Sequence, residues 1–130
     1  MTVEEYFGRI DMLEAMIQAR MADREQLWAI ATKTTAGADG MPHGTNVTDK
    51  VGGIAAKLAD LSREIDMLID QKADMEKVLE KLPPKEYGAL HLYYVLGMTW
   101  EAVAEHMGKS EMQIYRYRKK GIMHLAKILE

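Results

Sequence analysis

Two long apolar stripes dominate the first part of the chain. Val3, Tyr6, Ile10, Leu13 and Ile17 recur at alternating steps of three and four residues, and after Arg20 and Arg24 the stripe resumes at Leu27 and Ala31. That is the spacing of one helix face. Thr2 and Glu5 stand at capping-box separation just ahead of it, so a first helix is expected to begin at Thr2 and to fade near Lys33. In the second stripe, Ile54, Leu58, Leu61, Ile65, Leu68, Lys72, Met75, Leu79 and Leu82 alternate steps of four and three without a break. This heptad seam predicts a helix from about Asp49 to Lys81, with one polar residue, Lys72, on its apolar face. A lysine there either snorkels to solvent or approaches an acid of the facing helix, Asp11 or Glu14. Pro83-Pro84 ends the helix, because the second proline denies the helical conformation to the first.

Between the stripes, Thr34 to Thr48 carries Gly37, Asp39, Gly40, Pro42, Gly44 and Asn46, which predicts a flexible loop. Two stripes joined by a loop predict an antiparallel helical hairpin, coiled-coil-like, over residues 1–81. The same stripes can pair between chains, so a homodimer through the long helices is the expected assembly. The methionines along the hairpin, such as Met12, Met16, Met67 and Met75, suit adaptable packing.

Three shorter helices are expected beyond the prolines. The first covers Lys85 to Leu96 and stops at Gly97; the second follows Thr99 as N-cap and stops at Gly108; the third follows Ser110, with Gln113 completing a capping box, and reaches about Leu129. Only Gly108 and Lys109 separate the last two before the cap, the tight spacing of a helix-turn-helix. Val103, Met107, Ile114, Tyr117 and Leu125 fall on facing interior sides, Trp100 and Leu90 extend that core, and Ala104 is small where the two helices should cross closely. The fold class is thus all-α: a long hairpin over 1–81, then a three-helix DNA-binding unit over 82–130.

Charge changes the picture. The net charge of −3 conceals an asymmetry: residues 1–84 hold 10 Lys+Arg against 15 Asp+Glu, whereas residues 109–127 hold six cations against Glu111 alone. A basic end on an acidic chain points to a polyanionic partner. The outer face of the last helix would present Glu111, Met112, Gln113, Arg116, Lys119 and Lys120 behind the Ser110 cap. Amide and guanidinium groups there suit base edges in the major groove, and lysines suit phosphate.

Leu82-Pro83-Pro84-Lys85-Glu86, Leu90, Leu92, Tyr93-Tyr94, Gly97-Met98-Thr99-Trp100-Glu101, Val103-Ala104 and Gly108-Lys109-Ser110 follow in the order and spacing of region four of bacterial sigma factors. About 48 residues resemble that family. The resemblance implies a DNA-binding helix-turn-helix and assigns recognition positions to Glu111, Met112, Gln113 and Arg116. Glu111 stands where the family often has arginine or a small residue, and Gly121 stands inside the last helix, where glycine costs ~1 kcal/mol relative to alanine. Nothing before Leu82 resembles the promoter-melting region of a sigma factor. The layout, a helical hairpin ahead of a sigma-like unit, resembles small phage and prophage regulators, including late-gene transcriptional activators.

No catalytic constellation is evident, so the chain is not expected to be an enzyme. Cysteine is absent, and His43, His91, His106 and His124 are scattered without metal-ligand spacing, so neither metal nor cofactor is expected. Asp66, Asp70 and Asp74 form an acidic ladder with the character of a solvated face. There is no signal-peptide pattern and no apolar run long enough for a membrane span, so a cytoplasmic location is expected. The expected function is sequence-specific transcription regulation, with double-stranded DNA as partner and host RNA polymerase as a candidate second one. The alternative is a small-terminase-like DNA-packaging protein, which also joins a helix-turn-helix to an oligomerising helical region.

Overall fold

The structure is a computed structural model that describes the backbone of residues 1–37 and 44–130 and the side chains of residues 1–33 and 52–130. Every regular element among the described residues is helical. In chain order they are α1 (Val3–Gly37), α2 (Gly44–Glu76), a 3₁₀ turn (Leu79–Lys81), α3 (Pro84–Leu90) running into a π turn (His91–Val95), α4 (Trp100–Met107) and α5 (Glu111–Ile128).

Two expected boundaries move. The backbone is helical at 34–37 and again at 44–48, where the turn formers predict a loop. Glycine weakens a helix by about 1 kcal/mol but does not end it, and residues 34–37 contain no proline. Residues 38–43, His43 among them, lie outside the described residues. At its other end α2 stops at Glu76 rather than Lys81. The chain tightens into the 3₁₀ turn and leaves it extended at Leu82, φ −78° and ψ 156°. Leu79 and Leu82 are buried all the same, since their three-residue step matches one 3₁₀ turn.

Packing divides the chain into two compact units, one formed by Met1–Leu13 with Gln71–Glu130 and the other by Glu14–Asp70. These packing units do not follow the expected division at residue 82, because one core joins distant segments. Tyr6, Phe7 and Ile10 of α1 are buried in one cluster with Leu79, Leu82, Leu90 and Leu125. Phe7 stacks on Tyr94, with centroids 4.0 Å apart and planes 10° off parallel. The Tyr6 hydroxyl donates to the Met75 carbonyl. Burial, with the Glu76 carboxylate nearby, pushes that phenol up to about 12, so it stays a donor at neutral pH. Leu90 and Leu125, expected in the helix-turn-helix core, belong to this cluster instead. A second cluster holds Ala89, Val103, Ala104 and Ile114, flanked by Trp100, Met107 and Tyr117 as their spacing predicts.

The π turn lets neighbouring residues serve different clusters. Leu96 N–H bonds back five residues to the His91 carbonyl. Tyr93 stacks on Trp100 at 3.8 Å, whereas Tyr94 lies on Phe7. The His91 ring stacks against Tyr87, and its Nδ1 is buried with no hydrogen-bond partner.

In the other unit α1 and α2 run antiparallel, with Arg20 Nε 3.3 Å from Glu64 Oε2. The heptad seam is what burial follows: Ile17 and Ile65 are buried, and Arg24, Leu27, Ala31, Ile54, Leu58, Leu61 and Leu68 are half-buried. Lys72, on the seam but in the first unit, has Nζ 3.5 Å from Glu76. Asp66, Asp70 and Asp74 are exposed, and no group of acids and histidines suited to a metal ion occurs among the described residues. No helix among them is long and apolar enough to cross a membrane.

Gly121 has a packing reason. It is buried, and a Cβ there would stand 3.0 Å from Leu90 Cδ1 and 3.3 Å from Glu86 Cβ, so its lack of a side chain lets α5 settle on α3. Gly8, exposed within α1, has nothing within 4 Å of such a Cβ. The two glycines should therefore respond oppositely to substitution. Gly121→Val is expected to destabilise the protein by about 1–3 kcal/mol through overpacking. Gly8→Ala is expected to stabilise it by roughly 0.5–1 kcal/mol through helix propensity. Denaturant titration of both variants checks the pair.

Candidate nucleic-acid interface

The turn between α4 and α5 is built by its caps. Thr99 opens α4, its Oγ1 accepting from Ala102 N–H at 3.1 Å. Gly108 closes it at φ 65°, a left-handed conformation that L side chains resist. Ser110 then opens α5: its Oγ accepts from Gln113 N–H at 3.2 Å, and Gln113 Oε1 accepts from Ser110 N–H at 3.1 Å. Both halves of the capping box are present, so the direction of α5 is set from its first residue. Ala104 and Ile114 are buried together where the two helices meet, and Arg118 lies over the Trp100 ring at 4.8 Å.

With Ile114, Gly121 and Leu125 turned inward, the helical period fixes what faces out. Met112, Arg116, Lys119 and Met123 succeed one another at steps of four, three and four along the opposite ridge. All seven expected site residues, Ser110, Glu111, Met112, Gln113, Arg116, Lys119 and Lys120, are exposed. Gln113, Arg116 and Lys120 further line one groove of about 500 Å³ with Pro83, Pro84, Lys85 and Tyr117. Lys119 extends over the Tyr115 ring, its ammonium 5.8 Å from the centroid.

Three roles differ from a reading of the helix face alone. Gln113 Oε1 is already occupied by the cap, so the residue positions α5 as well as facing outward. Arg118 is held over Trp100 and is half-buried rather than free on the ridge. Lys85 was missed: it lies in the same groove as Arg116 and Lys120, with its ammonium 5.9 Å from the Tyr117 centroid. Its signal was present in the Pro83-Pro84-Lys85 lead-in, which places a cation at the start of α3. His124, also half-buried, has Nδ1 2.8 Å from Oε2 of the buried Glu86, and so satisfies the carboxylate beneath α5.

The sigma-70 region 4 family matches residues 72–125. This stretch of the chain is thus similar to sigma-70 region 4, a DNA-binding class of unit, and its α4 and α5 form a helix-turn-helix. The match begins at residue 72, beside the packing boundary at Gln71, so the end of α2 belongs to the unit. No curated protein and no solved structure matches the chain.

The cap makes a simple test. Ser110→Ala is expected to lower stability by about 1 kcal/mol, and Ser110→Asp to retain most of it, because a carboxylate also accepts at the N-cap. Thermal unfolding of the two variants side by side measures the difference.

Proposed function

We propose that the chain is a sequence-specific transcription regulator of double-stranded DNA, phage-derived and cytoplasmic, acting by binding rather than by catalysis. The observation that carries this reading is the Ser110-capped α5, whose outer ridge and flank gather Met112, Arg116, Lys119 and Lys120 on a region-four-like unit. Arg116 offers a guanidinium fork for guanine, and Lys119, Lys120 and Lys85 offer charge to phosphates. Gln113 keeps its amide N–H₂ for a base or phosphate while its oxygen holds the cap. Glu111 favours the positive end of α5 and repels phosphate, which disfavours wrong registers. The layout of a helical hairpin beside this unit supports the phage-regulator kind, and the region-four resemblance supports contact with host RNA polymerase.

Self-association through the long helices is part of the same reading. Its support is apolar surface left open on the hairpin, with Trp28 66% and Met67 61% exposed. Light scattering of the full chain should give a dimer at micromolar concentration. A monomer would remove the dimer, and a ring of many subunits would favour DNA packaging instead.

DNA selected from a random pool gives the preferred site for the binding tests. Arg116→Ala should then cost about 1–3 kcal/mol on that site and far less on random DNA at the same salt. Equal losses on both would assign Arg116 to the backbone. Lys119→Ala with Lys120→Ala should flatten the dependence of log K on log salt by about 1.8, at about 0.9 per phosphate lost. An unchanged slope would place the docking face elsewhere.

A further inference from the structure

Among the cations of α5, the ridge carries an apolar side chain where a base reader is expected. Met112 lies in the first turn, 62% exposed, one helical turn before Arg116. Tyr115, 53% exposed, stands beside it, and both line an open groove of about 560 Å³ with Trp100, Glu101, Glu111, Ile114 and Arg118. Leaving two large apolar groups in water is unfavourable, and a single exposed methionine needs no explanation. Here the pair borders a groove whose floor, Ile114 and Trp100, is also apolar. Its margin carries both signs, with Glu101 and Glu111 in the first turns of α4 and α5, Arg118 over Trp100 and Lys119 over Tyr115.

We propose that Met112 and Tyr115 form an apolar clamp for the C5-methyl group of a thymine in the major groove. Thymine is the one DNA base that presents a methyl group there. Arg116 and Lys119 follow Met112 on the same ridge of α5 and put positive charge beside the clamp, which complements the phosphates that would flank such a base. The thioether is flexible enough to follow a methyl group, and the Tyr115 ring, with Lys119 over it, gives the clamp its firmer wall. Oε1 of Gln113 is held by the cap, so part of the discrimination that an unoccupied glutamine would supply passes to this apolar contact.

The inference rests on the DNA-binding reading, and the test separates the two. Each thymine of the selected site is replaced in turn by uracil, which removes the methyl group and leaves base pairing intact. Full-chain protein should bind roughly fourfold more weakly when one particular thymine is changed, the transfer value of one buried methyl-sized group. Met112→Ala should bind the thymine and uracil duplexes alike, and Tyr115→Ala should reduce the difference. Both positions are exposed on α5 and alanine favours helix, and unfolding curves confirm the fold of each variant. If uracil is neutral at every position, or if Met112→Ala keeps the full difference, the clamp is overturned while DNA binding stands. If the full chain shows no salt-dependent DNA binding at all, the clamp falls together with the functional reading.

Discussion

Leu90 has no accessible surface, and the reason is that α5 comes close enough at Gly121 to close over it. The rest of the region-four-like unit depends on this approach. It seats α5 against α3, it places Leu125 in the cluster with Tyr6, Phe7 and Ile10, and it brings His124 to the buried Glu86. Once that side of α5 is committed, helical periodicity leaves Met112, Arg116, Lys119 and Met123 facing away. The outward chemistry of the helix is therefore a consequence of its inward packing, and the capping box holds the first turn in the same line.

Local signals in the sequence were reliable guides. Thr99, Gly108, Ser110 and Gln113 act as caps because capping depends on side chains within three or four residues, which a sequence displays directly. The apolar stripes of α1 and α2 match the positions that lose solvent. Long-range packing was not legible in the same way. Nothing near Tyr6 and Phe7 announces that they meet Leu90 and Leu125, since that pairing depends on how α3 and α5 close. Pro83-Pro84 marks the end of a helix and not the edge of a core, so the packing units part elsewhere than at residue 82.

The candidate site shows the same division. The exposed ridge of α5 could be read from spacing, because periodicity and exposure go together on a packed helix. The double duty of Gln113 was also visible in part, since one residue met two patterns, but only geometry shows its oxygen taken by Ser110 N–H. Arg118 and Lys85 needed three dimensions. One is a cation held over an indole, and the other joins α5 from a different helix. Charge counting treats all of these cations alike, whereas packing sorts them into free and engaged.

The cluster around Tyr6 and Phe7 bears on how the protein is made. Tyr6 and Phe7 leave the ribosome well before Leu125, which shares their cluster. Until α5 has emerged, the first turns of α1 must carry an apolar face that lacks part of its cover, although α1 can form as a helix from local interactions alone. Closure of the core waits for α5. For a helical protein, rich in short-range contacts that favour fast folding, this makes α5 the gatekeeper of α1. A nascent chain interrupted before α5 would present Tyr6, Phe7 and Ile10 to chaperones, so α5 also decides when the chain stops looking unfolded.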